Sequence, residues 1–143
     1  MTKFYASYGS NLNIDQMLTR CPRAKSVTKI FLNNWKLVFR GVADIIRSPG
    51  SEVPIGIYEI SDECEKALDQ YEKFPILYRK ENILIKLDGS QKSVLTYVMN
   101  NYGYGPPVEE YFKIIGKGYL DWKINFNTLI NALNFSIEND SGK

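Results

Sequence analysis

The chain contains no histidine. Chemistry that depends on imidazole is excluded at once: no Ser-His-Asp triad, no Cys-His dyad and no His-ligated zinc can be assembled. Cysteine is nearly as scarce, with only Cys21 and Cys64. Two thiols are too few for a disulfide framework or a four-thiolate metal site, so no metal or other cofactor is expected. They suit a reduced, cytoplasmic setting as buried inert thiols, with a single disulfide between them left open. A charge excess is also missing, because 18 Lys and Arg stand against 16 Asp and Glu for a formal +2. Binding to a phosphate backbone usually rests on a basic surplus, so nucleic acid is not an expected partner. No apolar run approaches the ~20 residues of a membrane span. The stretch bracketed by Lys3 and Asn11 is too short for a signal peptide. No membrane association is expected, and no repeat, linker or low-complexity block interrupts the chain.

What is present fits one globular unit. At 143 residues, with 44% hydrophobic and 24% charged, the chain is expected to form a single domain over 1–143 with a frayed tail at about 138–143. Lys3 to Tyr8 is β-prone and ends at Gly9, and Asn13 with Gln16 three residues on has the form of a helix cap before Ile14, Met17 and Leu18. Ser26 to Arg40 reads as a hairpin broken at Asn33-Asn34, and a Ser-Pro-Gly-Ser turn at 48–51 precedes a strand from Val53 to Ile60. Ser61 caps a helix whose apolar side is Cys64, Ala67, Leu68 and Tyr71, bounded by Pro75. Tyr78 to Leu87 and Lys92 to Met99 form a second hairpin around Asp88-Gly89-Ser90. Pro107 opens a helix weakened by Gly116 and Gly118, and a last helix runs from Asn125 to about Ile137. Strands joined by hairpins define an α+β class: a small, curved, mostly antiparallel β-barrel with flanking helices.

Three places could carry chemistry. The turn Tyr8-Gly9-Ser10-Asn11-Leu12, between a strand and a helix, aims backbone N–H groups at one point and lets a carboxylate or oxyanion approach the main chain. The plain alternative is a tight turn at Gly9 and a helix cap. Glu72 closes its helix between Tyr71 and Phe74-Pro75, where the negative end of the helix dipole and aromatic neighbours favour the protonated acid, as a general base near neutral pH requires. Its alternative is a solvated Glu72 paired with Lys73 or Arg79. The loop from Asn100 to Tyr111 carries Tyr102, Tyr104 and Tyr111, which packing largely explains. Glu109 and Glu110 are first-turn acids expected for dipole reasons.

Four blocks in order carry a resemblance: YGSNL at 8–12, SPGSEVPIG at 48–56, LDQYEKFPILY at 68–78 and YVMNNYGYGPPVEEYFKIIGKG at 97–118. Together they make the chain similar to the γ-glutamylcyclotransferase family. The resemblance implies a small barrel with an active-site pocket at its mouth and Glu72 as catalytic acid/base. It also implies a loop of Tyr8, Gly9, Ser10, Asn11 and Leu12 holding the γ-glutamyl moiety, with Tyr78 and Tyr111 as pocket tyrosines. Lys73 stands where the family usually has Gly after the glutamate, and Val108 where Ser usually follows the proline; both departures bear on the acceptor side. The implied partner is a small-molecule γ-glutamyl substrate, with a homodimer possible, and the implied reaction is closure to 5-oxoproline. Two further readings stand beside it. One is a specialised cyclotransferase that removes a γ-glutamyl protecting group; the other is a non-catalytic ligand-binding member of the fold.

Overall fold

A computed structural model describes residues 3–100 and 102–142. Strand β1 (Lys3–Ser7) leads through a 3-10 turn (Ser10–Leu12) into helix α1 (Ile14–Arg20). The long strands β2 (Lys25–Arg40) and β3 (Val42–Ile60) follow, then helix α2 (Asp62–Tyr71), strands β4 (Tyr78–Leu87) and β5 (Ser90–Met99), and helices α3 (Glu109–Asp121) and α4 (Asn127–Glu138).

The strands pair in the order β2-β3-β1-β5-β4. All pairings are antiparallel except β1 with β5, which run parallel at Tyr5 and Leu95. The α+β class and the antiparallel bias therefore stand, while the expected barrel is replaced by an open sheet. No hydrogen-bonded pairing among the described residues joins the edge strands β2 and β4. Side chains including Ile30, Phe31, Ile83 and Leu84 line a cavity of about 640 Å³ between those edges.

Period-two alternation sends neighbouring side chains of each strand to opposite faces. Phe4 and Ala6 of β1 join Val94 and Val98 of β5 on the face that α3 and α4 cover through Ile115, Tyr119 and Leu129. Tyr5 joins Tyr58, Leu95 and Tyr97 on the other face, which α1 and α2 cover through Met17, Cys64 and Leu68. No helix among the described residues is long and apolar enough to cross a membrane.

Local chemistry explains several element ends. Asn13 caps α1, its side-chain oxygen accepting from the Gln16 amide at 3.1 Å, and Ser61 caps α2 by accepting from the Cys64 amide at 3.2 Å. The β4–β5 turn sits at Asp88 and Gly89, both at positive φ (51° and 78°), the conformation of a tight hairpin. The expected hairpin break at Asn33-Asn34 is instead a bulge within one continuous β2. Asn34 takes a left-handed φ of 69°, and the register jumps from Asn33 opposite Glu52 to Trp35 opposite Arg47. Residues 48–51 bow out inside β3, the Asn34 side chain accepting from the Gly50 amide at 3.2 Å, while the chain reverses at Gly41. Helix α3 runs through Gly116 and Gly118 because Gly118 is where it touches the 3-10 turn. A Cβ at that position would stand 2.5 Å from the Asn13 nitrogen. The segment after α4 does not hang free, since the Ser141 amide donates to the Tyr104 carbonyl at 3.0 Å. Lys143 lies outside the described residues.

The cysteines differ from expectation. Cys21 and Cys64 are disulfide-bonded, with Cα atoms 5.1 Å apart, and no free thiol remains. The reading as two inert thiols fails because the end of α1 packs against the first turn of α2, a contact separated by 43 residues of sequence.

Candidate active site

Beyond β1 the chain turns at Gly9, and a Cβ there would lie 3.0 Å from that of Ala43, so glycine is needed for this close approach rather than for an unusual φ. The amides of Leu12 and Asn13 bond back to the carbonyls of Gly9 and Ser10 at 3.0 and 3.1 Å. The amides of Ser10 and Asn11, which head the turn, have no acceptor among the described residues. They are the unsatisfied donors that begin any helical turn, here held against a cavity.

Across that cavity stands the end of α2. The Glu72 amide still bonds to the Leu68 carbonyl at 2.8 Å, and Lys73 then takes a left-handed φ of 53°, ending the helix. That conformation gives a physical reason for the glycine usual at this place in the resembling family. The Phe74–Pro75 peptide is cis. Burial raises the Glu72 carboxyl to about 7, with the Arg20 guanidinium pulling partly the other way. The dominant cause is desolvation. Arg79, a partner in the plain alternative, instead bonds Glu81 at 3.0 Å and the Met99 carbonyl at 2.8 Å. No described residue donates a hydrogen bond to the Glu72 carboxylate, which leaves it free to exchange a proton with a ligand.

The cavity between these elements is about 250 Å³ and its remaining walls are largely tyrosine. The Tyr8 hydroxyl donates to the Tyr97 carbonyl at 2.5 Å, and Tyr78 donates to the Ala43 carbonyl at 2.6 Å. Tyr111 accepts from the Ala43 amide at 3.0 Å, so one residue of β3 anchors two of the wall tyrosines. Burial pushes the phenols of Tyr8, Tyr78 and Tyr111 well up, so they act as neutral groups. A direct bridge closes the rim: the hydroxyls of Ser10 and Tyr71 lie 2.9 Å apart, tying the N-terminal turn to the residue before Glu72.

Of the residues singled out in the sequence, Glu72, Tyr8, Gly9, Ser10, Asn11, Tyr78 and Tyr111 all border this cavity. Leu12 does not. It is fully buried in the core, and its carbonyl accepts from the Trp122 indole at 2.7 Å. Tyr104 packs on Phe135 at 5.1 Å, and Glu109 pairs with Lys113 at 3.0 Å, so neither belongs to the site. Sequence reasoning missed Tyr5, Tyr71 and Tyr97 as wall residues. The alternation of β1 and β5 placed Tyr5 and Tyr97 on one face, and Tyr71 adjoins Glu72, so a signal existed.

A half-buried carboxyl raised to about 7, amides without acceptors among the described residues and a tyrosine wall thus line one cavity, a set of groups suited to acid–base chemistry without imidazole. Comparison with known proteins gives the family. The family described as gamma-glutamyl cyclotransferase, AIG2-like, matches residues 5–122, and the chain belongs to it. The gamma-glutamylcyclotransferase of Homo sapiens is 30% identical over 128 residues, covering 80% of this chain and 68% of that protein. The Mus musculus gamma-glutamylcyclotransferase is 29% identical over 131 residues, covering 82% and 70%. A solved gamma-glutamyl cyclotransferase has the same fold, with a TM-score of 0.80 at 24% identity over 99% of this chain and 88% of that one. An AIG2-like protein from Mus musculus is more distant, with a TM-score of 0.59 at 16% identity over 77% and 82%.

Proposed function

We propose that the protein cyclises the γ-glutamyl group of a γ-glutamyl amino acid or amine to 5-oxoproline and releases the free amine. The substrate carries its own nucleophile. Its α-amine attacks the γ-carbonyl carbon, the new C–N bond closes a five-membered lactam, and the original γ-amide C–N bond breaks. Folding the substrate for that closure draws on the high effective molarity of intramolecular reactions. The protein then has to orient, neutralise charge and move protons.

Each task has residues suited to it. Glu72, with its carboxyl near 7, takes a proton from the α-ammonium and returns one to the leaving nitrogen. The amides of Ser10 and Asn11, without an acceptor among the described residues, donate to the oxyanion as the carbonyl becomes tetrahedral in this reading. The cavity of about 250 Å³ is smaller than the ~300–1,000 Å³ usual for drug-sized ligands, as a pocket for one glutamyl unit should be. The observation that carries the reading is the convergence of Glu72 and the Gly9–Asn11 turn on one cavity. The same reading takes 1–143 as a single domain acting on a free metabolite; the cytoplasmic setting expected from reduced thiols loses that support with the Cys21–Cys64 disulfide. Mass spectrometry of γ-glutamyl compounds incubated with wild type and Glu72→Gln tests it. Wild type is expected to form 5-oxoproline and the variant to lose most of that turnover; a folded Glu72→Gln protein with undiminished turnover would end the assignment. Comparing γ-glutamyl dipeptides with bulkier γ-glutamyl amines identifies the leaving group.

A further inference from the structure

We propose that Arg20, on the last turn of α1, is a positioning residue for this site, its guanidinium joining the side chain of Asn11 in the N-terminal turn to the Tyr71 ring beside Glu72. The inference rests on the role given to Glu72 above. Arg20 donates to the Asn11 side-chain oxygen at 2.9 Å and lies 3.4 Å from the centre of the Tyr71 ring. It is itself held by the Gln16 carbonyl at 2.9 Å and the Gln16 side-chain oxygen at 3.2 Å. Asn11 in turn donates to the Tyr5 hydroxyl at 3.0 Å, and Tyr71 meets Ser10 at 2.9 Å. These contacts form a ring, Arg20 to Asn11 and Ser10 to Tyr71 and back, in which Ser10, Asn11 and Tyr71 line the cavity and Arg20 braces them from outside its lining. A flat, forked cation suits this position, because it can stack on an aromatic face and donate in its own plane at once. Cys21 follows directly, and its disulfide to Cys64 fixes this end of α1 against α2.

The electrostatics support the same role. Facing Glu72 are Tyr5 and Tyr8 from the first strand and its turn, Tyr78 from β4, Tyr97 from β5 and Tyr111 from α3. All five phenols are pushed up by burial and stay neutral across any practical assay range. Asp44, whose charge acts on Tyr8 and Tyr78, is engaged by Arg40 at 2.8 Å. Lys73 adjoins Glu72 in sequence and also borders the cavity. Arg20 is the charge that lowers it. Losing that charge leaves burial unopposed, so the carboxyl should titrate higher and the base should be available only at higher pH.

The test follows 5-oxoproline release against pH for wild type, Arg20→Gln, Arg20→Lys and Glu72→Gln, with circular dichroism melts of each. In Arg20→Gln the acid limb of kcat/KM is expected about one pH unit higher. Arg20→Lys should keep the limb near wild type but raise KM several-fold, because an ammonium cannot both stack on Tyr71 and hold Asn11. A folded Arg20→Gln protein with an unmoved limb overturns the proposal. Should that variant fail to fold, an Arg20→Lys protein with wild-type KM overturns it instead. Turnover retained in Glu72→Gln would sink the underlying assignment, whereas loss there with no response at Arg20 sinks this inference alone.

Discussion

The face of the sheet under α3 and α4 is built from aliphatic side chains such as Ile45, Val53, Ile55 and Val94, none of which needs a polar partner. The face under α1 and α2 presents Tyr5, Tyr58, Tyr78 and Tyr97, and every one of those hydroxyls is bonded: to Asn11, the Asn11 carbonyl, the Ala43 carbonyl and Asp69 respectively. Aliphatic packing supplies stability and is indifferent to direction. Tyrosines fix direction as well, because each ring is pinned at both ends, so a cavity walled by them keeps its shape while empty. The aliphatic side supplies most of the packing and the tyrosine side most of the pinned hydroxyls, while the site draws Tyr8, Ala43 and Tyr111 from the first and Tyr5, Tyr78 and Tyr97 from the second.

That division can be broken in order of expected effect. Glu72→Gln should lower 5-oxoproline release by about 10²–10⁴-fold, the usual worth of a positioned acid–base group, while leaving the fold intact by circular dichroism. Ile55→Ala, on the aliphatic side, should cost about 2–5 kcal/mol in a denaturant melt. The KM of the protein that remains folded should stay unchanged, and a shifted KM would blur the two sides.

The third prediction concerns pH. Glu72 is raised to about 7 from an ordinary 4.5, so the folded state holds a proton that the unfolded chain has released between those values. The contribution to stability is present in full below 4.5 and is lost as pH rises through about 7. Glu72→Gln removes this penalty, so its advantage over wild type in urea should grow across that window and level off above it at no more than about 3 kcal/mol. An advantage that does not change with pH would mean that the carboxyl is not held neutral by burial. The smallest effect is expected for Tyr78→Phe, which leaves the Ala43 carbonyl without its donor at about 1–3 kcal/mol. KM should rise in that variant, since Ala43 also anchors Tyr111.

Much of this was legible in the sequence where local chemistry decides. The caps at Asn13 and Ser61 and the Asp88-Gly89 turn stand where their residue types placed them, because each needs only near neighbours. Asn33-Asn34 misled because a left-handed Asn suits a turn and a bulge equally well, and the choice depends on β3, which has not yet entered the local pattern. The open sheet had the same origin, since closure depends on whether the two edge strands meet. At the site, Glu72 and the Gly9–Asn11 turn were marked by residue type and by resemblance. Arg20 was not, since nothing near it in sequence announces a contact with Tyr71, which lies over fifty residues on. Leu12 was included through its place in the motif, yet its side chain turns into the core.

The parallel pairing of β1 with β5 has a consequence for synthesis. Residue 5 sits beside residue 95, and the wall is completed only by Tyr111. As the chain leaves the ribosome from its amino end, the first strand and its turn must wait for most of the polypeptide before their neighbours arrive. A truncated nascent chain would thus carry the amide donors and the carboxylate without the chamber that makes them useful, and activity should emerge late and all at once.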